Sequence, residues 1–361
     1  MTTARDYDVI VVGAGPGGFA TALVAARSGL RVLVLDRKRF PRDKICGDAI
    51  TPLGMTMLAQ LGVLETVRAI ADAQVPRIQI HPAGSSAKNT ITTSVLVVRR
   101  RVLDATLLNV VRPLVDVREG HAVDRLQWCN SRVCGVAGKI DQGGRFDATA
   151  RVVIGADGAS SIIARLAGCR DGGHDDLLVA TRAYRWGDAT TEHALEFHFL
   201  PDLAGGYLWI FPVGGGCYNV GLGGPAERFR TGRRSLQAWC DAVLSSRQFA
   251  GRFAAGRPAS GTAGGQIPFG GTTQPICGAG FMLVGDAAGL ADAFWGDGID
   301  TALASGALAA SHAAAACRAG DFSAVRLGGY RDSVLRVLGK KLALGLERHR
   351  SAALGCPDAP G

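Results

Sequence analysis

The sequence predicts an α/β protein in which a parallel-stranded dinucleotide-binding domain is interleaved with an α+β domain built on an antiparallel sheet. Three observations lead to this fold class. The chain opens with a strand, a glycine-rich turn and a helix, in the order typical of dinucleotide-binding domains. Residues 169–270 change to short alternating strands separated by turn residues. The length of 361 residues exceeds what one hydrophobic core usually supports, so two packed domains are expected.

The first element is the strand predicted at residues 9–12, which is short and wholly apolar. It runs into Gly13, Gly15 and Gly18, the three glycines of a G-x-G-x-x-G motif. Gly13 permits the tight turn, Gly15 lets the backbone approach a pyrophosphate, and Gly18 lets the following helix pack on the strand. That helix is expected at about residues 17–28, with its N-terminus facing the phosphates. A bound ADP moiety is therefore the first functional inference.

The elements that follow make this inference more specific. Gly29 ends the helix, and residues 31–35 are expected to form the second strand. Asp36 then stands where a carboxylate holds the ribose hydroxyls, and Arg37 beside it is a further candidate cofactor contact. An acid at this position favours a free 2′-hydroxyl over a 2′-phosphate. FAD or NAD therefore fits this site better than NADP.

Composition narrows the class of protein and its surroundings. The chain is 47% hydrophobic, which is ordinary for a globular protein, and we find neither a signal peptide nor a membrane span. Cytoplasmic residence is expected, with most of the nine cysteines reduced, because they show no CxxC pair and no zinc-ligand spacing. The formal charge of +9 favours anionic partners such as phosphorylated substrates or acidic lipid. No motif supports nucleic acid as a partner.

Two later motifs separate FAD from NAD. Residues 151–165 form an apolar strand that runs into a turn containing Asp157, and residues 280–310 place Gly285 and Asp286 between a short strand and a helix of small residues. These segments resemble the DG and GD motifs of the flavoprotein hydroxylases, which share the p-hydroxybenzoate-hydroxylase fold. The resemblance implies that Asp286 contacts the ribityl hydroxyls and that the helix N-terminus behind it faces the flavin ring, where its dipole would stabilise negative charge.

A third match to this group is Arg100, which opens an R-x-x-L-D segment where the group places an arginine near the cofactor. Three matches in the same order along the chain predict FAD as the cofactor. No second dinucleotide site is visible, so the electron donor is expected to be transiently bound NAD(P)H or a ferredoxin-like protein.

Within this group the chain resembles the geranylgeranyl reductase family. Residues 40–54 contain the family's P-R-x-K-x-C-G stretch with a downstream proline, residues 206–223 contain its Y-x-W-x-F-P strand, and residues 285–299 follow its GDAAGLxxPxxGEGI motif. The matching residues outside the GDAAGL segment are Pro41, Arg42, Lys44, Cys46, Gly47, Pro52, Tyr207, Trp209, Phe211, Pro212, Gly296, Gly298 and Ile299. The resemblance implies that Cys46, Gly47, Gly296, Gly298 and Ile299 lie against the cofactor.

Three departures from the family pattern fall in the last of these motifs. Ala293 stands where the family usually has proline, Phe294 and Trp295 are bulkier than usual, and Asp297 replaces glutamate. These positions are expected over the flavin, so a substrate other than the family's usual one stays open.

Alternate side chains of a strand share one face, so Tyr207, Trp209 and Phe211 are expected to form one aromatic stripe. Such a stripe suits the wall of a pocket for an apolar or planar substrate, but it is equally typical of a sheet core. The family resemblance favours the pocket. The preceding strand carries a similar stripe at Leu195, Phe197 and Phe199.

No metal site is expected. His193, Glu196 and His198 come nearest to a ligand cluster, but strand alternation places His193 on the opposite face from the other two.

Cys46 is the main candidate for acid chemistry. Reducing an isolated alkene with a flavin requires a hydride on one carbon and a proton on the other, and a thiol can donate that proton. Arg42 and Lys44 could bind an anionic head group or lower the pKa of the thiol. The alternatives are a buried cysteine with a packing role only, and Asp48 as the acid.

The order of elements predicts discontinuous domains. Residues 1–72, 100–168 and 271–329 are assigned to the FAD-binding domain, and residues 73–99 and 169–270 to the substrate-binding domain. Residues 330–361 are assigned to a basic C-terminal helix and tail. Its leucines recur at helical spacing, so the helix either lies on an anionic membrane surface or packs its leucines on the FAD domain.

The functional hypothesis is an FAD-dependent oxidoreductase that reduces carbon–carbon double bonds of a hydrophobic, isoprenoid-like substrate. The alternatives are an oxygen-using monooxygenase or halogenase that acts on an aromatic or polyketide-like substrate, and a flavin-binding module without turnover. The Cys46 segment favours the reductase over the oxygen-using enzymes, and the complete set of cofactor motifs disfavours the module. The expected partner is a hydrophobic small-molecule substrate, and peripheral membrane contact and an electron-donor protein stay open as further partners.

Overall fold

Two sheets organise the fold in a computed structural model, which describes residues 6–170, 177–187, 193–230, 234–253, 260–270 and 274–353. The elements before the first long connection are β1 (Tyr7–Val12), α1 (Pro16–Arg27), β2 (Val32–Asp36), β3 (Ala49–Ile50), α2 (Pro52–Gln60), α3 (Leu64–Arg68), β4 (Ala73–His81), β5 (Asn89–Val97), α4 (Arg100–Val111), β6 (Asp116–Glu119), β7 (His121–Cys129), β8 (Arg132–Ile140), β9 (Arg145–Gly155) and α5 (Ile162–Leu166). The remaining elements are β10 (Leu177–Trp186), β11 (Leu195–Phe199), β12 (Tyr207–Pro212), β13 (Cys217–Pro225), α6 (Ala226–Arg230), α7 (Leu236–Leu244), α8 (Ala250–Phe253), β14 (Ala263–Pro268), β15 (Cys277–Gly278), β16 (Phe281–Leu283), α9 (Ile299–Ala319) and α10 (Ala324–Ala353).

The first sheet has the order β15-β16-β9-β1-β2-β6, with β7 and β8 attached through β9. Strands β16, β9, β1, β2 and β6 run parallel, as a dinucleotide-binding domain requires. The second sheet has the order β14-β10-β13-β12-β11-β4-β5-β3 and is antiparallel except where β4 pairs with β11. The predicted fold class is therefore confirmed, and β3 pairs with the second sheet although it precedes β4 in the chain.

Helix α9 packs against α1 through small residues. A Cβ added to Gly306 would lie 2.4 Å from the carbonyl oxygen of Gly17, so the two helices touch backbone to backbone. The Thr21 hydroxyl donates to the carbonyls of Gly17 and Gly306 and so ties the helices together. Only residues without bulky side chains allow this approach. The close packing fixes the N-terminus of α9 relative to the glycine-rich turn.

One face of α10 packs inward. Leu338 and Leu342 are buried in the core that surrounds the first sheet, with Tyr330 and Val334 of the same helix. The Tyr330 hydroxyl donates to the carbonyl of Leu283 at 2.7 Å. Packing on the first sheet is therefore the outcome for this set of leucines, as one of the two sequence interpretations expected. Across the described ranges, no helix is both long and apolar enough to cross a bilayer.

One pair of cysteines departs from the expected reduced state. Cys129 and Cys134 form a disulfide across the β7–β8 hairpin, with their Cα atoms 5.9 Å apart. Asn130 and Ser131 adopt left-handed conformations at the hairpin tip, which brings the two strand ends together. The sequence spacing had shown neither a CxxC pair nor this turn geometry.

Candidate active site

The glycine-rich turn lies between the ends of β1 and β9. Gly13 has a φ of +103°, and a Cβ there would lie 2.3 Å from the carbonyl oxygen of Ala156. A Cβ on Gly18 would lie 1.9 Å from the carbonyl oxygen of Gly13. Gly15 differs, because its Cβ would meet nothing closer than 3.7 Å. The fold itself therefore requires glycine at positions 13 and 18. At position 15, only a bound group that approaches the backbone closely would require glycine.

Two arginines flank the open position at Gly15. The atoms nearest to a Cβ on Gly15 are Nη2 of Arg100 and Nη2 of Arg42, at 3.7 and 3.8 Å. Arg100 makes a bidentate ion pair with Asp104 at 2.7 and 2.8 Å, and Arg42 donates to the same carboxylate at 2.8 Å. Burial alone would raise the pKa of Asp104, but the two guanidinium groups hold it below its usual range. Two guanidinium groups therefore lie beside the turn, where they could donate hydrogen bonds to a pyrophosphate.

The carboxylate of Asp36 lies at the end of β2, directly beside the turn. It accepts from the backbone N–H of Ala14 at 2.9 Å and from the N–H of Lys38 at 2.8 Å. Arg42 lies 3.7 Å from the same carboxylate, and Arg37 is exposed next to it. Asp36 is thus oriented at the edge where an adenosine ribose would lie.

The side chain of Asp157 makes its hydrogen bonds within its own turn. Its carboxylate accepts from the Ser161 hydroxyl at 2.6 Å and from the N–H groups of Ile162 and Ile163 at 2.7 and 3.2 Å. These bonds cap the N-terminus of α5. Through Ala156, the same turn rests against Gly13. Asp157 therefore shapes the wall of the glycine-rich turn, and a direct contact with the cofactor stays a prediction.

Asp286 lies at the junction between the cofactor motifs. Lys44 makes an ion pair with its carboxylate at 2.9 Å, and a Cβ on Gly298 would lie 2.9 Å from its Oδ1 atom. Gly285 has a φ of +55°, and its N–H donates to the Ser305 hydroxyl of α9. Gly298 precedes Ile299, the first residue of α9. The carboxylate and the N-terminus of α9 therefore converge, as the sequence motifs require.

Arg42 and Lys44 both form ion pairs in this structure, and their contact with a substrate head group stays a prediction. Both are paired with carboxylates on the cofactor side, Arg42 with Asp104 and Lys44 with Asp286. Both residues belong to residues 41–48, a segment that crosses between the two sheets and that we call the Cys46 loop. The loop therefore presents its basic residues and Cys46 to the first sheet and Gly47 to the second.

The Cys46 loop packs directly on the aromatic stripe. A Cβ on Gly47 would lie 2.8 Å from Cε2 of Phe211 and 3.7 Å from Nε1 of Trp209, so only glycine fits there. Burial raises the pKa of the Cys46 thiol, although the nearby Arg100 guanidinium and the N–H of Asp48 oppose that shift. The thiol is therefore protonated at neutral pH and lies beside the Arg100 guanidinium. This is the state that a proton donor needs.

The aromatic stripe is the centre of a larger cluster of rings. Rings from β11 and from the 293–296 turn contact the stripe and one another. The centroids of neighbouring rings lie 4.8 to 6.4 Å apart. Besides Tyr207, Trp209 and Phe211, the cluster contains Phe197, Phe199, Phe294 and Trp295. The Tyr207 hydroxyl donates to the carbonyl of Trp295, and burial raises its pKa, so the phenol stays protonated. Trp209 and Phe211 are buried in the sheet core, whereas Tyr207 and Phe197 are half-buried, and a pocket wall at these rings stays a prediction.

Asp297 is held by a lysine from the C-terminal helix. Lys341 donates to Asp297 at 2.7 Å and also to Asp300 in the first turn of α9. Burial and the neighbouring Asp300 raise the pKa of Asp297 to about 7, and Lys341 opposes that shift. No sequence motif had linked α10 to the cofactor side of the fold.

The raised pKa of Asp297 predicts a pH-dependent stability. The folded state keeps the proton up to about pH 7, whereas the unfolded chain releases it near 3.8, so this carboxyl group lowers stability as pH rises between those values. We expect Asp297→Asn to gain stability relative to the unmodified protein as pH rises through this window. Thermal unfolding at several pH values measures the difference, with the exposed Asp202→Asn as the control. A difference that stays constant with pH would contradict the assignment.

One cluster has the composition of a metal site but not its geometry. His81, Glu196 and His198 place their ligand atoms within 4.8 Å of one another, and His193 lies exposed outside the cluster. The rings of His81 and His198 are stacked at 4.1 Å with 14° between their planes, so their in-plane lone pairs cannot converge on one ion. Arg252 donates to both oxygens of Glu196 at 2.7 Å. The cluster is therefore an ion-pair network on the far face of the second sheet.

The residues present fit FAD. The turn at Gly15 is open and flanked by guanidinium groups, Asp36 stands beside the ribose position, and Asp286 meets the start of α9. Sequence reasoning missed two residues at the site, Asn219 and Tyr184, which contact the Cys46 loop from the second sheet. Asn219 is a polar residue in the apolar strand β13, and that interruption was the available signal.

Comparison with known proteins agrees with this geometry. Residues 6–201 match the FAD binding domain family. The digeranylgeranylglycerophospholipid reductase of Methanocella arvoryzae is 31% identical, and the match covers 93% of this chain and 85% of that protein. The menaquinone reductase of Mycolicibacterium smegmatis is 31% identical, with 84% of this chain and 75% of that protein covered.

Solved structures give the same answer. A geranylgeranyl bacteriochlorophyll reductase-like protein from Thermoplasma acidophilum superposes with a TM-score of 0.87 at 25% identity, covering 96% of this chain and 88% of that one. A flavin-dependent brominase superposes with a TM-score of 0.78 at 20% identity, covering 98% of this chain and 94% of that one. At that identity the brominase shares the fold alone. With its cofactor motifs, its Cys46 loop and relatives above 30% identity over most of its length, the chain belongs to the geranylgeranyl reductase family of FAD-dependent oxidoreductases.

Proposed function

We propose that this oxidoreductase reduces carbon–carbon double bonds of a hydrophobic, isoprenoid-like substrate that lies against the aromatic stripe. The observation that carries the proposal is the protonated Cys46 thiol beside the Arg100 guanidinium, one residue from Gly47, which packs on the rings of Phe211 and Trp209. When bound, FAD supplies the hydride. The curated relatives named as reductases of digeranylgeranylglycerophospholipid and of menaquinone support a substrate with an isoprenoid chain.

Cys46 completes the addition of hydrogen to the double bond. One alkene carbon takes the hydride, the other takes the thiol proton, and a thiolate stays on Cys46. The Arg100 guanidinium and the N–H of Asp48 face that sulfur and stabilise its negative charge. The half-buried thiolate then recovers a proton from solvent.

We assign the cofactor contacts in the same proposal. Gly13, Gly15 and Gly18 with Arg42 and Arg100 surround the pyrophosphate, and Asp36 holds the ribose hydroxyls. Asp286 binds the ribityl chain, and the segment from Gly296 to Ile299 faces the ring. Gly296 supports this placement, because a Cβ there would lie 3.7 Å from the Tyr207 hydroxyl, at the border between cofactor and aromatic stripe.

The test is anaerobic single turnover. The flavin is photoreduced under argon and mixed with digeranylgeranylglycerophospholipid, with menaquinone as a second probe and the fully saturated lipid as the matched control. Flavin absorbance should recover with the unsaturated lipid and not with the saturated one, and the product should gain two hydrogen atoms for each reduced bond. Recovery only on admission of air, with oxygen or halogen incorporated into an added aromatic compound, would favour the oxygen-using alternative instead.

The electron donor in this proposal is NAD(P)H bound transiently or a ferredoxin-like protein. The formal charge of +9 supports an acidic donor protein. Flavin reduction is measured under argon with each donor at low and high salt. If the donor is a ferredoxin-like protein, the rate of flavin reduction should fall steeply with salt. If the donor is NAD(P)H, deuterium placed on its nicotinamide carbon should be transferred during the reduction.

We further propose that the outer face of α10 meets anionic lipid. Val337 and Leu344 are exposed on this face, next to Arg336 and Lys340. This arrangement supports a shallow, salt-sensitive contact. We expect cosedimentation with anionic vesicles to fall with salt and to be lost in Arg336→Glu with Lys340→Glu. The same charge reversal at the exposed residues Arg125 and Lys139 should leave vesicle binding unchanged. Equal loss of binding in both double variants would show that net charge, and not the face of α10, causes the binding.

A further inference from the structure

Asn219 joins the Cys46 loop to the aromatic stripe. It lies fully buried on β13. Its Nδ2 group donates to the carbonyl of Cys46 at 2.8 Å and to Asp48 at 2.7 Å, and its Oδ1 atom accepts from Nε1 of Trp209 at 2.9 Å. An indole N–H can only donate, whereas a carbonyl and a carboxylate accept. The amide therefore has one orientation that satisfies all three partners.

We propose that Asn219 is a positioning residue that holds the Cys46 thiol and the indole of Trp209 in one fixed relation during alkene reduction. This inference rests on the proposed function, because it assigns the two partners to proton donation and to substrate contact. The hydrogen bonds of Asn219 hold the backbone at Cys46 and the indole ring that borders the substrate. Movement of the backbone or of the ring would therefore break a hydrogen bond to Asn219.

Asp48 anchors the same network. Its φ of +67° is unfavourable for a residue with a side chain, and it is held there by hydrogen bonds from the second sheet and from the start of α4. The carboxylate accepts from the Tyr184 hydroxyl at 2.7 Å and from the N–H of Arg100 at 3.1 Å, besides Asn219. The loop therefore cannot move toward either sheet without leaving a buried carboxylate short of donors.

A second interaction, from β10, also holds the Cys46 loop in place. The buried Arg182 guanidinium makes an ion pair with Asp43 at 3.0 Å and lies over the ring of Tyr184 at 4.4 Å. Gly47 leaves no space for displacement, because Phe211 is already in contact with its backbone. The thiol is thus carried by a segment fixed at Asp43, Cys46 and Asp48, and the Asn219 side chain bonds that segment directly to Trp209 of the stripe.

The charge environment predicts how Cys46 changes when Asn219 is removed. Burial is the largest cause of the raised thiol pKa. Loosening the loop admits water, so the thiol of Asn219→Ala should ionise at lower pH and react faster with iodoacetamide at neutral pH. Peptide mass spectrometry reports the alkylation of Cys46 separately, with the half-buried Cys277 as an internal reference.

The main experiment is a double-mutant cycle on the single-turnover oxidation of reduced flavin by digeranylgeranylglycerophospholipid. Asn219→Ala should slow this step by roughly 10- to 100-fold at saturating lipid with normal flavin content, because small misplacements of a catalytic group have effects of this size. In the Cys46→Ser background the same change should have less than about a threefold effect. Thr181→Val, which removes a buried hydroxyl of β10 that contacts neither the loop nor the stripe, should leave the rate unchanged.

A milder variant covers the case in which Asn219→Ala does not fold. Tyr184→Phe removes one donor to Asp48 and should lower the same rate by a smaller factor, again with normal flavin content and with faster alkylation of Cys46. Fully additive effects of Asn219→Ala and Cys46→Ser, or an unchanged alkylation profile in both variants, would overturn the positioning role. If Cys46→Ser turns over normally, the proton-donor assignment fails on its own, and the alkylation measurement still decides whether Asn219 holds the loop.

Discussion

Gly15→Val is expected to give folded protein that lacks FAD. A Cβ at this position meets only the guanidinium groups of Arg100 and Arg42, at 3.7 and 3.8 Å, so the fold accommodates it. Its branches would occupy the space through which the backbone approaches a pyrophosphate. Flavin absorbance per mole of purified protein should fall close to zero, while circular dichroism and the unfolding temperature stay near those of the unmodified protein.

Gly18→Ala is the matched control, because it should fail in the opposite way. Its Cβ would lie 1.9 Å from the carbonyl oxygen of Gly13, and no rotamer relieves a contact with the backbone. Overpacking of this kind costs about 1–3 kcal/mol or more, so we expect poor yield and a lowered unfolding temperature with or without FAD. Normal FAD content in Gly15→Val would remove the glycine-rich turn as the pyrophosphate site.

Cys46→Ser is expected to retain FAD and to lose alkene reduction by roughly 10²-fold or more, the typical contribution of a positioned general acid. Serine has nearly the same volume as cysteine, but its hydroxyl is a far weaker acid than a thiol. The proton would then have to come from a poorer donor, while the hydride donor is unchanged. The measurement is single-turnover oxidation of the reduced flavin by unsaturated lipid, with flavin content determined in the same sample.

Cys277→Ser is the control for this substitution, because Cys277 is a half-buried thiol in the first sheet and away from the Cys46 loop. It should leave the rate unchanged. A Cys46→Ser protein that oxidises its flavin with lipid at the normal rate would return Cys46 to a packing role. Asp48 would then be the next acid to test, since burial raises its pKa and hydrogen bonds from Tyr184 and Asn219 oppose the shift.

The elements that the sequence predicted well depend on local chemistry. The strand, glycines, helix and acid from Tyr7 to Asp36 follow each other in the chain, and each is recognisable from its own residues. The strand that ends before Asp157 and the short strand before Gly285 have the same property. Strand alternation also placed the aromatic stripe on one face, because the period of a strand does not depend on its neighbours.

What the sequence did not predict depends on pairs that are far apart. Lys341 reaches Asp297 only because α10 packs along the first sheet, and nothing near either residue indicates the other. Arg42 and Lys44 form ion pairs with Asp104 and Asp286, and no local pattern in the chain indicates either pair. The disulfide between Cys129 and Cys134 required the turn geometry of one hairpin.

By itself the sequence determined the cofactor-binding domain, the identity of FAD and the candidate acid, because each rests on a short motif whose residues act through the backbone next to them. The tertiary structure alone decided what surrounds Cys46. Asn219 and the carbonyl that it binds are 173 residues apart, and they meet because the Cys46 loop crosses from the first sheet onto the second. The state of the thiol follows from burial at that crossing, and burial is a property of the packed molecule rather than of any segment of the chain.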